Sequence, residues 1–187
     1  MNRFTPVATV FSVLLLSGCG GSDGNDITSA GLNTFNGSWS NGCEDFFGEG
    51  LFPSITINGS IGTVTVDTYE NSDCSGLAAT SDSQDFNISY VGGIALSDCF
   101  NGQKVDVSVI FPVTIDGVTY TEAEYNALTQ EEQDALDGFQ LTSSYDLLCT
   151  NQAGTTLYSG DETTGDGSSD ATRPTSADLA NGINKVL

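Results

Sequence analysis

Histidine is absent from this chain, and positive charge nearly so. Of 187 residues, 4 are lysine or arginine and 25 are aspartate or glutamate, a formal net charge of −21 at pH 7. Without histidine there is no Ser-His-Asp or Cys-His nucleophile arrangement, and no histidine to complete a zinc set. With so few cations there is no basic patch to neutralise phosphates, which excludes nucleic acid as a partner. No glycine-rich loop followed by lysine is present to cradle a phosphate. No cysteine pair has CxxC spacing, which argues against redox or zinc chemistry and leaves the expected metal and cofactor set empty. Carboxylate neighbours such as Glu44-Asp45 and Glu131-Glu132 exist. In so acidic a chain they arise by chance, so no enzyme is expected. The acidity itself reads as solubility in a salty medium, where repulsion is screened.

Long apolar runs are scarce too. The main one, Val7–Leu16, spans about ten residues, too short to cross a bilayer as a helix. Arg3 precedes it and Ser17-Gly18-Cys19 follows it, the layout of a signal peptide with small residues at its cleavage site. Leu16-Ser17-Gly18-Cys19 resembles the bacterial lipobox. In that family the cysteine thiol receives a diacylglycerol and the chain is cut just before it. The resemblance implies a signal peptide at 1–18 and lipidation at Cys19, with palmitate-like acyl chains holding the membrane. Gly20 rather than aspartate after the cysteine implies the outer membrane, on its periplasmic or surface face. Residues 19–35, rich in Gly, Ser, Asp and Asn, read as a tether. Residues 36–187 read as one domain with a fair core.

From residue 36 the pattern is short alternating strands with turn signals. The segments are 36–43, 54–59, 61–69, 85–91, 104–111, 139–149 and 155–160, with a possible last strand or short helix at the C-terminus. Asn58-Gly59-Ser60 reads as a tight hairpin turn. The expected fold is all-β, an antiparallel meandering barrel of about eight strands, with a β-sandwich as runner-up. A helical insertion is expected at about 121–137, since Thr121 with Glu124 and Thr129 with Glu132 fit capping boxes. It reads as a surface connection, with a lid as the alternative. The acidic polar segment at about 160–172 places Asp161, Asp166 and Asp170 in a calcium-like cluster, but the register with Gly167 sixth puts Arg173 where a bidentate acid is needed.

Gly37-Ser38-Trp39 resembles the Gly-x-Trp signature that opens lipocalins and related calycin barrels. In that family the tryptophan plugs the closed end of the barrel, under an arginine from near the last strand. The resemblance implies that role for Trp39 and makes Arg173, the arginine near the C-terminus, its stacking partner. The chain also resembles small lipoproteins of Gram-negative marine bacteria, which share a Gly-x-Trp…Cys opening, a segment like Tyr69–Cys74 and an Arg-Pro-Thr near the end. That second resemblance implies no activity.

The chain has five cysteines. With Cys19 lipidated, Cys43, Cys74, Cys99 and Cys149 form two disulfides in an oxidising compartment. Cys43 ends the first strand and Cys74 follows the third. In a meander these strands are parallel and their ends share a rim, so Cys43–Cys74 with Cys99–Cys149 is expected. Cys43–Cys149 with Cys74–Cys99 is the main rival, and Cys43–Cys99 with Cys74–Cys149 stays open. Functionally, a barrel of this size holds a small ligand or is filled by its own side chains. The first reading is a binding module for a neutral or cationic apolar ligand. Lys104 at a solvated strand end is not expected to anchor an anion. The alternative is a structural envelope lipoprotein with a packed barrel and a protein partner.

Overall fold

Period-two alternation, interrupted by Gly, Asn and Asp turns, produces strands wherever one side of the chain is apolar. The computed structural model describes residues 32–97, 99–115, 118–129 and 144–186. Cys19, the signal-like run and Glu132 of the second capping box lie outside these residues. After a 3-10 turn at Leu32–Phe35 come β1 (Gly37–Ser40), β2 (Glu44–Phe46), β3 (Glu49–Asn58), β4 (Ile61–Tyr69), β5 (Thr80–Gly93) and β6 (Phe100–Val109). They are followed by β7 (Val113–Ile115), β8 (Val118–Tyr120), α1 (Glu122–Asn126), β9 (Ser144–Thr150), β10 (Thr156–Tyr158) and β11 (Ile183–Val186).

All pairings are antiparallel. The main sheet runs β1-β11-β10-β9-β6-β5-β4-β3-β2, and β1 also pairs with β3. The sheet therefore closes on itself as an eight-stranded barrel, with β2 as an extra strand on the upper end of β3. Closure removes the sheet edges of the barrel and rules out the sandwich. β7 and β8 form a separate hairpin.

Register fixes what faces inward. Ile55 and Ile57 of β3 oppose Val64 and Gly62 of β4, which oppose Gln84 and Phe86 of β5. A Cβ on Gly62 would run into the Phe86 ring, so the glycine makes room for an aromatic lying across the interior. Trp39, Ile57, Ile88, Val105, Leu157 and Ile183 join Phe35 in one buried cluster, with Phe86, Val107 and Leu148 packed against it. These side chains come from nearly every wall of the barrel. Leu51 and Val66, with Phe46 and Val64, continue the filling towards the other end.

Several boundaries differ from the sequence reading. β1 ends at Ser40 rather than residue 43, so Cys43 lies between strands. β5 begins at Thr80, because pairing with β4 extends the strand through the polar run Thr80–Gln84. Lys104 is not at a strand end. β6 starts at Phe100, and Lys104 sits within it, half-buried, opposite Gly92 and Leu147. α1 has the expected capping box at Thr121 and Glu124. The segment from β10 to β11 folds over the outside of β9, where Ala177 packs with Leu147, Cys149 and the half-buried Tyr158. This explains the adjacent leucines of β9: Leu148 faces the interior and Leu147 the covering segment.

Candidate functional site

One end of the barrel carries the chain entry, the β3–β4 turn and the β9–β10 connection. Trp39 is fully buried there, and its Nε1 donates to Phe35 O at 2.9 Å, which docks the entering 3-10 turn. Asn36 Oδ1 accepts from Gly59 N at 2.8 Å, tying the entry to the adjacent turn. The cation over Trp39 is Lys185, with Nζ 5.0 Å from the ring centroid and donating to Asn36 O at 3.0 Å. Gly37 has φ 137, and a Cβ there would stand 2.7 Å from Lys185 Cε. The Gly-x-Trp pattern thus has a local physical cause: the glycine lets the lysine stem cross to the indole.

Arg173 does not stack on Trp39, and that expectation is corrected. Its guanidinium lies outside the barrel, 5.3 Å from the Tyr145 ring centroid. Nη1 donates to the carbonyls of Val105 and of Asp146, which face each other across β6 and β9. Nε and Nη2 donate to Asp170 at 3.1 and 3.0 Å, and Nη2 also pairs with Asp106. Burial works against the charge, but hydrogen bonds to Asp106 and Asp170 carry its pKa above the ordinary arginine value. Arg173 is a clasp that fastens the β10–β11 segment onto the wall.

Beside it lies a cleft of about 40 Å³ whose lining includes Ser144, Asp146, Glu162, Asp166 and Pro174. β10 leaves β9 after Tyr158, so this stretch of β9 meets the covering segment instead of a strand. Asp146 Oδ1 accepts from the N–H groups of Leu147 at 2.7 Å and Gly160 at 2.9 Å. Burial pushes the Asp146 carboxyl up to about 6, against these hydrogen bonds and Arg173. Burial also raises Glu162, with Asp166 adding repulsion. Asp166 itself is lowered by hydrogen bonds from Ser168 and Thr172. Among the described residues no three His, Cys, Asp or Glu side chains converge as metal ligands. Asp161 is buried and spends its carboxylate on Thr163, accepting from its N and Oγ1 at 2.7 and 2.6 Å.

Inside the barrel, Gln103 faces inward two residues before Val105. It is fully buried, and neither side-chain amide atom has a partner among the described residues. Nothing in the sequence marks it, because a glutamine within a strand is ordinarily solvated.

At the opposite end, Cys43 and Cys74 are joined across the β1–β2 and β4–β5 connections, Cα atoms 5.8 Å apart. Cys99 and Cys149 are joined across β6 and β9, Cα atoms 5.9 Å apart. Both bonds match the expected pairing.

The fold defines a class, a closed eight-stranded antiparallel barrel consistent with the lipocalin-like architecture, with Trp39 buried near the chain entry beneath Lys185. No family profile, curated protein or solved structure matches the chain.

Proposed function

We propose that this protein is an outer-membrane-anchored lipoprotein whose barrel is packed by its own side chains and which acts through contact with a protein partner. The observation that carries the reading is the single apolar cluster joining Trp39, Ile57, Ile88, Val105 and Leu157 across the barrel, with the Phe86 ring over Gly62. A cavity for an apolar guest needs that space. The resemblance of Leu16-Ser17-Gly18-Cys19 to a lipobox supports the anchor, and the absence of histidine from the chain supports a non-enzymatic role. A second reading keeps a small neutral guest, favoured by Gln103: a buried amide without partners is the group such a molecule would satisfy.

The experiment is native mass spectrometry of the protein extracted from its own membranes. The expected species is the chain from Cys19 with its acyl groups and nothing else bound. A chain lacking acyl groups contradicts the anchor, and a co-purified small molecule contradicts the packed barrel.

A further inference from the structure

We propose that the barrel rim carrying Phe47 and Leu77 is the docking surface for a cationic protein, one whose basic surface holds an apolar recess. The inference rests on the reading that this barrel works by protein contact, and it names the surface and the chemistry of the partner.

Phe47 and Leu77 are each 93% exposed, well above every other large hydrophobic among the described residues. Both lie at the end of the barrel opposite the chain entry. Phe47 is the first central residue of the two-residue turn joining β2 to β3, with φ 54, and Gly48 follows at φ 94. A turn with both central residues at positive φ favours Asn or Asp followed by Gly. A bulky aromatic in that conformation is strained. The turn needs nothing from the ring, because Asp45 Oδ1 accepts from Gly48 N at 3.0 Å. The ring's contact is an edge-on one with Phe46, centroids 4.8 Å apart. Residue 47 thus breaks both turn chemistry and surface chemistry, and folding of the monomer gains little from it. Such local violations mark functional positions.

Leu77 rises from the neighbouring β4–β5 connection. The Cys43–Cys74 bond ties that connection to the segment leading into β2. Gly50 of β3 packs so tightly against it that a Cβ would stand 2.8 Å from both the N and the Sγ of Cys74. The two apolar tips therefore share one braced ledge. In sequence, Glu44, Asp45 and Glu49 flank the first tip and Glu70 and Asp73 precede the second, and no lysine or arginine occurs between Arg3 and Lys104. Hydrogen bonds from Ser75 hold the Asp73 carboxyl below its ordinary value, keeping it charged.

Apolar tips amid carboxylates match a surface that is basic around an apolar recess. Anionic headgroups would be repelled, and a neutral bilayer offers the carboxylates no complement. The described chain enters the barrel at the opposite end, so the ledge is clear of the entering segment.

The test is photo-crosslinking in the producing cells, with p-benzoylphenylalanine placed singly at position 47, at position 77, and at exposed Gln152 at the opposite end. The proposal expects positions 47 and 77 to capture the same protein and position 152 not to capture it. That protein, purified separately, should carry net positive charge at neutral pH and bind the wild-type chain. Phe47→Ser and Leu77→Ser should each weaken binding about tenfold with unchanged melting, and about 0.5 M salt should weaken it further. Lipid adducts, an acidic or neutral captured protein, equal capture from position 152, or no capture would overturn it. The native mass of the same sample reports a barrel guest independently, so failure of the packed-barrel reading is distinguishable from failure of the ledge.

Discussion

Lys185, Arg173 and Asp146 are the residues whose environments make the sharpest claims. Trp39 is the chain's one tryptophan, so its fluorescence reports the chain-entry end of the barrel directly. Lys185→Gln should redden that emission and lower stability by about 0.5–1 kcal/mol, the worth of a half-buried cation–π contact. Lys185→Arg should restore both. An unchanged spectrum in Lys185→Gln would mean the ammonium does not rest on the indole. Arg173→Ala orphans the carbonyls of Val105 and Asp146 and frees the covering segment. It should cost about 2–4 kcal/mol in urea denaturation, and Arg173→Lys should recover only part, since an ammonium lacks the planar fork. Asp146 titrates near 3.8 unfolded and near 6 folded. Between those values the folded chain holds more protons, so this group's contribution is complete below about pH 4 and is lost as pH rises through 6. The span between the two values bounds the loss at about 3 kcal/mol. Melting curves from pH 4 to 7 should show a fall that Asp146→Asn flattens. Parallel profiles would refute the raised value.

At the scale of elements, the disulfides brace two different regions. Their sequence separations are 31 and 50, for which chain entropy gives roughly 3.5–4 kcal/mol each. Cys99→Ser/Cys149→Ser should destabilise the β6–β9 wall and reduce protection of β6 amides in hydrogen exchange. Cys43→Ser/Cys74→Ser should loosen the rim and leave β6 protected. The reverse pattern would contradict this division. β4 was legible from sequence because Gly62, Val64 and Val66 alternate cleanly with polar residues. Cys43–Cys74 followed from the direction of the strands. β2 and the β7–β8 hairpin were not legible, since three residues hold too little periodicity. The start of β6 was missed because Phe100–Gln103 carries no alternation, and the ladder with β9 makes it a strand. Trp39 was legible through its glycine. Its cation was not, because Lys185 lies in a four-residue strand where only closure of the barrel defines inside and outside.

At the scale of the whole molecule, the proposed scaffold role rests on a closed barrel with few cations, a largely apolar interior and a disulfide-braced rim. The central claim is that the interior is filled. Titration with N-phenyl-1-naphthylamine, a neutral apolar fluorophore of barrel-guest size, tests it most directly, because an enclosed dye would accept energy from Trp39. The packed barrel predicts a linear, unsaturated rise in dye fluorescence and unchanged Trp39 emission. Saturable one-to-one uptake with quenching of Trp39 would contradict it.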